Sequence, residues 1–169
     1  LAVWVCSYIT ATTLDSRSES LTGFVQQSPM THIRITAGGH EFLARLETEK
    51  SPKTCAWFLG LLPYQAHICQ GRWSGKASFI RIGTTGADIG YEKATSYPQL
   101  GEVVMYPGDR EQGGGEIYMP YGPNEFACEF GKIAGNHFLS IVEGKEALPE
   151  LGEHVHWHGA QEILFALAE

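Results

Sequence analysis

The sequence predicts a mainly β domain, closed into a barrel and carrying two short helices. Three observations lead there. Short runs of alternating apolar and polar residues recur from residue 32 to the C-terminus, separated by glycine, proline and asparagine. Strands of that length and spacing close into barrels or sandwiches. Apart from the last segment, which reads as strand or helix, only two segments invite a helical reading. Finally, the 169 residues are 43% apolar and 18% charged, enough to bury one core without staples.

Residues 10–29 are rich in Ser, Thr and Gln and follow no period, whereas His32-Ile33-Arg34-Ile35 opens a clean alternation. The domain is therefore expected to run over residues 30–169, with residues 1–29 as an N-terminal arm; an ordinary first strand over Val3–Ile9 is the alternative. Leu1, Val3, Trp4, Val5, Tyr8 and Ile9 carry too much apolar surface to stay wet. Packing of this arm on a neighbouring copy predicts a homo-oligomer.

Ala37-Gly38-Gly39 predicts a hairpin turn between Ile33–Thr36 and Glu41–Leu46, because glycine accepts positive φ. Ser51 is a natural N-cap and Pro52 fits the first helical turn. Cys55, Phe58, Leu59 and Leu62 then form one apolar stripe, and Pro63 stops the helix. Strands are expected at Ala66–Gln70, Ala77–Ile82, Gly101–Tyr106, Glu116–Met119, Glu125–Cys128 and Phe138–Val142. Glu143–Leu151 reads as the second helix, Val155–Trp157 as a strand, and Glu162–Ala168 as either. Asp109–Gly115, with its run of glycines, reads as a solvated connection or a lid.

Charge and cysteines narrow the function classes. A net charge of −7 repels phosphate backbones and anionic lipid, which argues against nucleic acid and membrane surfaces as partners. No apolar run approaches the roughly 20 residues of a membrane helix. The N-terminal apolar stretch has no basic flank and is broken by Ser7 and Thr10, so no secretory signal is expected. Cys6, Cys55, Cys69 and Cys128 are scattered without a C-x-x-C pair; buried thiols in a reducing cytoplasm are the simplest expectation.

No cofactor is predicted. Gly71-Arg72-Trp73-Ser74-Gly75-Lys76-Ala77 is one residue short of a phosphate loop and ends in Ala where a metal-binding hydroxyl belongs. Ser74 lacks the G-x-S-x-G context of a nucleophile elbow. His154, His156 and His158 would share one face of a strand. Neighbours there are about 6.6 Å apart, close enough for two imidazoles to share a metal, but the outer pair at about 13 Å is not. The triplet is expected to face water, with Val155 and Trp157 packed inward and no metal bound.

Two segments resemble cyclophilin in its own order. Ser51-Pro52-Lys53-Thr54 with Trp57-Phe58 resembles the A-P-K-T-x-x-N-F helix start. Asn124-Glu125-Phe126, Ala134-Gly135-Asn136-His137-Phe138 and Val142-Glu143-Gly144 resemble its S-Q-F-F, D-G-K-H-V-V-F-G and V-E-G words. The chain is still more similar to a bacterial cyclophilin-like family of unassigned function, through Arg72–Ala77, Ala94–Pro98, Gly101-Glu102, Tyr106-Pro107-Gly108, Pro120-Tyr121-Gly122 and Gly135–Phe138. The resemblance covers about residues 32–169 and implies a closed cyclophilin-like barrel with two helices. It implies no substrate.

Departures from cyclophilin argue against prolyl isomerisation, whose barrier is about 18–20 kcal/mol. The F-H-R-V strand with its arginine reads Ala66-His67-Ile68-Cys69 here, so Ile68 takes the arginine's place. Lys132 replaces the tryptophan before the D-G-K-H word and Ala127 the second phenylalanine of F-F; His137 carries over.

On such a barrel Arg72, Trp73, Tyr97, Tyr106, Glu116, Tyr118, Tyr121 and His137 fall at strand ends and turns expected to gather at one wall. Aromatic walls with a few placed polar groups make ligand pockets. Arg72 suits a carboxylate, and His137 suits proton exchange near neutrality. The expected function is binding of a small molecule or short peptide; the alternatives are a prolyl isomerase-type enzyme and a structural oligomerisation module.

Overall fold

The computed structural model describes residues 30–109 and 113–168. Residues 1–29, and with them the expected arm, its alternative as a first strand and its role in assembly, lie outside the described residues. The strands are β1 (His32–Ala37), β2 (His40–Leu46), β3 (Tyr64–Gln70), β4 (Gly75–Gly83), β5 (Ala94–Thr95), β6 (Glu102–Asp109), β7 (Gly113–Asn124), β8 (Ala127–Cys128), β9 (Gly131–Lys132), β10 (Gly135–Glu143) and β11 (Gln161–Leu167). The helices are α1 (Pro52–Leu59) and α2 (Leu148–His158), the latter entered by a single 3₁₀ turn at Lys145–Ala147.

Hydrogen bonding runs in the order β2-β1-β11-β3-β4-β7-β6-β10, and β10 returns to β2, so the sheet closes on itself. Every pairing is antiparallel. Among the described residues closure leaves no long unpaired sheet edge. The expected barrel is thus the fold, and β5 lies outside the ring as a short addition to β10.

Alternation explains the core. Ile33, Ile35, Phe42, Ala44, Ile68, Ile80, Val103, Met105, Ile117, Met119, Ile163 and Phe165 are buried together in the main core, while their strand neighbours turn outward. The Gly38-Gly39 hairpin forms as expected, with Ala37 paired to His40 and φ of 55° and 86° at the two glycines.

Helix α1 lies past the far end of β2. Cys55 and Phe58 are buried, but the helix ends at Leu59, a turn earlier than its stripe suggested, and Leu59 itself is exposed. Gly60, Leu61 and Leu62 continue as tight turns on the carbonyls of Trp57, Phe58 and Leu59. Ser51 occupies the cap position without capping: its hydroxyl donates to the Glu92 carbonyl. Glu92 supplies the cap instead. Its carboxylate accepts from the N–H of Lys53 at 3.0 Å and of Thr54 at 2.9 Å, and from the Thr54 hydroxyl. Burial works against that carboxylate, but these donors and the Lys53 charge hold its pKa below the usual range. An acidic group at a helix N-terminus also meets the favourable end of the dipole.

Helix α2 corrects the expected strand at Val155–Trp157. Leu148, Leu151, Gly152 and Val155 are its buried face, at i, i+3, i+4 and i+7. Leu151 lies against the Gly38 turn, and Gly152 sits where any Cβ would overlap the Tyr121 ring. The histidines therefore do not share a strand face. His154 and His158 stack one turn apart with ring centroids 4.5 Å apart, whereas His156 meets the edge of Trp157. Val155 does pack inward, but Trp157 is 73% exposed. Among the described residues no three metal-ligating side chains converge. No helix among them is long and apolar enough to cross a membrane.

Candidate functional site

The outward side chains of β4, β6 and β7 build a second, smaller core on the outside of the barrel. Ala77, Val104 and Tyr118 pack there with Phe126, flanked by Tyr106 and Ile133. Tyr118 stacks on Phe126 with centroids 4.0 Å apart, and Tyr106 meets the same ring edge-on. The Tyr118 hydroxyl donates to Asn124 Oδ1 at 3.0 Å, and burial pushes its pKa up. Ser74 ties the overlying segment down: its hydroxyl donates to the Ala127 carbonyl at 2.9 Å and accepts from the Ala127 N–H at 3.1 Å.

Beside this outer core lies a cavity of about 900 Å³. Its floor is the outer face of the sheet, carrying Cys69, Phe79, Arg81, Tyr106, Glu116 and Tyr118. Its rim is Arg72 and Trp73 on one side and the Cys128–Ile133 hairpin, with Glu129, Phe130 and Lys132, on the other. Trp73 is 59% and Phe130 79% exposed, so the rim presents aromatic surface to solvent.

Five of the eight expected site residues, Arg72, Trp73, Tyr106, Glu116 and Tyr118, line this cavity. The other three stand elsewhere. Tyr97 is exposed beside the hairpin, where the Lys132 ammonium lies 4.7 Å over its ring and hydrogen-bonds its hydroxyl. Tyr121 is buried against Gly152, its hydroxyl donating to Gln70 Oε1 at 2.9 Å. His137 belongs to a polar network on the opposite strands. Its Nε2 lies 2.9 Å from the Ser140 hydroxyl, which donates to Glu47 Oε1 at 2.6 Å, and its Nδ1 lies 3.3 Å from Lys50 Nζ. Burial and the Lys50 charge push the His137 pKa down, against the pull of Glu102 and Glu47. A neutral ring that donates through Nε2 to Ser140 and accepts at Nδ1 from Lys50 satisfies all of these contacts.

Sequence reasoning missed Cys69, Phe79 and Arg81. The signal was there: each alternates with a core residue, Ile68, Ile80 and Ile82, and so must point outward. Ile68 is fully buried in the main core, and the β3 residue that faces the cavity is Cys69. No guanidinium reaches the cavity from that strand.

Within the cavity Glu116 is the distinctive group. Burial raises its carboxyl to a pKa of about 7, and the Arg81 charge only partly opposes this. It can therefore hold or release a proton near neutrality.

A closed eight-stranded antiparallel barrel with two helices is a cyclophilin-like fold. The chain belongs to the family described as "Protein of unknown function (DUF3830)", whose model matches residues 33–167. None of the curated proteins compared with it matches. Among solved structures it is similar to McbB in complex with tryptophan, at 20% identity and a TM-score of 0.61, over 79% of this chain and 44% of that one. The chain thus spans less than half the length of McbB. It is also similar to a cyclophilin type peptidyl-prolyl cis-trans isomerase of Cryptosporidium parvum, at 16% identity and a TM-score of 0.54, over 83% of this chain and 98% of that one. At these identities the likeness is one of fold.

Proposed function

We propose that this chain is a binding domain that takes a small molecule or a short peptide in the outer-wall cavity. The observation that supports this is the cavity itself: about 900 Å³, aromatic-walled, with a half-buried carboxyl on its floor. Ligand sites have this size and this mixture of apolar walls and few polar groups. Tryptophan, which McbB holds, combines a ring with both charges and is a suitable first probe.

Addition of L-tryptophan or a proline-containing tetrapeptide to the isotopically labelled full chain is expected to shift resonances of Phe79, Arg81, Glu116 and Tyr118. Trp73→Ala is expected to weaken such binding about tenfold, the effect of losing one stacking aromatic. Shifts confined to α2, or no loss in Trp73→Ala, would point to a different surface.

Prolyl isomerisation above background is not expected, because β3 brings Cys69 to the cavity and Ile68 to the core. A proline-peptide assay measures this directly. Acceleration like that of an ordinary cyclophilin, lost in Arg72→Ala, would overturn it.

A further inference from the structure

Three strands set the cavity floor in rows. Register places Arg81 opposite Glu116 and Glu116 opposite Tyr106; one step along the outer face, Phe79 stands opposite Tyr118 and Tyr118 opposite Val104. Directly opposed side chains have Cβ atoms about 4.5–5.5 Å apart. A charged row therefore abuts an aromatic row. On the other flank of the charged row the next pair on β6 and β7 is Gly108 opposite Gly114. That flank carries no side chain because backbones pack closely there: a Cβ on Gly114 would come within 2.6 Å of the Gly83 Cα. Glu116 is thus bordered by backbone without side chains on one flank and by rings on the other.

Among the described residues no hydrogen bond ties the Glu116 carboxyl. Burial has removed part of its hydration and the Arg81 charge only partly offsets that, so a donor cation brought by a ligand restores what burial removed. Arg81 and Arg72 are exposed and solvated, and gain less from a ligand anion. Lys132 is engaged by Glu125 and Tyr97, and Glu129 adds a second negative charge at the rim. Cys69 from β3, Cys128 from the hairpin, and the phenols of Tyr106 and Tyr118 complete the titratable groups that line the cavity with Glu116. The net charge of −7 also draws cations.

We propose that the cavity selects a ligand with a basic nitrogen beside a flat apolar ring, an aromatic or cyclic amine, with Glu116 as its counter-ion. This rests on the binding reading above and names the ligand class for the same site. The Phe79–Tyr118 row and Trp73 take the ring, and the Glu116 carboxylate takes the nitrogen.

Proton linkage gives the proposal a sign. An ammonium pairs with ionised Glu116, and that carboxyl titrates at about 7. Amine binding therefore tightens roughly tenfold from about pH 6 to about pH 8. A carboxylate held by Arg81 is repelled by the same ionisation and weakens over that range.

The test is calorimetric titration of the full chain with tryptamine and with indole-3-acetate, which share a ring and differ in charge. Tryptamine is expected to bind at least tenfold more tightly at about pH 8, and to lose about tenfold at about pH 6. Glu116→Gln, checked for an unchanged melting profile, is expected to lose both the preference and the slope. Equal binding of the two probes with a flat pH profile overturns the amine proposal and leaves the cavity a binding site. Binding of neither, with no resonance shift at Phe79 or Tyr118 from any ring compound, overturns both readings. The comparison on the unmodified chain decides the matter even where Glu116→Gln fails to fold.

Discussion

Phe58→Ala is expected to cost about 3–5 kcal/mol of folding stability, the range for deleting a buried aromatic ring. Phe58 is fully buried. It meets Phe138 edge-on at 4.9 Å and Phe165 at 5.3 Å between centroids, with Tyr64 at 6.4 Å. This one ring therefore joins α1 to β3, β10 and β11, and truncation leaves a void that three rigid rings cannot collapse to fill. Domains of this size hold about 5–15 kcal/mol in total, so the variant approaches the limit of folding. Urea titration checks this, with Leu59→Ala as the exposed neighbour. A loss for Phe58→Ala no larger than for Leu59→Ala would mean that α1 is held by other contacts.

The second large effect is expected at Glu47. Burial alone would raise its carboxyl, but hydrogen bonds from Ser140 and Arg45 and the charges of Lys50 and Arg45 outweigh burial and hold it at about 2. Arg45 Nη2 lies 2.7 Å and Lys50 Nζ 3.3 Å from its oxygens. The folded pKa lies below the ordinary 4.5, so the unfolded chain binds the proton more readily. The stabilisation is therefore complete above about pH 4.5 and is lost as pH falls towards about 2. Its size is at most about 3 kcal/mol. Glu47→Gln is expected to lose a comparable amount at neutral pH and to flatten the acid limb of stability against pH. Denaturant titrations at about pH 7 and about pH 3 test both. An unaltered acid limb in Glu47→Gln would place the pH sensitivity in other carboxylates, Glu92 first.

Legibility differed by element. The strands with one buried face were readable because their period is two: Ile33 and Ile35, or Ile80 and Ile82, cannot be inward unless Arg34 and Arg81 are outward. The same rule marks Phe79 and Arg81 as outward-facing and so as floor residues. Helix α2 was split into a helix and a strand because Gly152 interrupts its apolar stripe and three histidines alternate with Val155 and Trp157. The glycine is a buried face position, required by the Tyr121 ring, and that ring comes from β7, some thirty residues away in sequence. Periodicity within a window carries no record of such a partner.

The cap of α1 shows the same division. Ser51-Pro52 marked where the helix starts, since cap propensity and the tolerance for proline are local. Which atoms satisfy the first N–H groups was decided by Glu92, forty residues on, carried there by a segment that Asn136 anchors through the Gly90 carbonyl and the Glu92 N–H.

Alternation, turn chemistry and resemblance are local or linear properties, and they specify the barrel class, its glycine hairpin and five of the cavity-lining residues. The three-dimensional fold decides that His137 and Tyr121 face other neighbours, that Arg81 stands opposite Glu116, and that backbone without side chains borders that carboxyl on one flank. Those facts depend on strand register and closure. A one-residue change in register would turn every one of these side chains to the other face of the sheet.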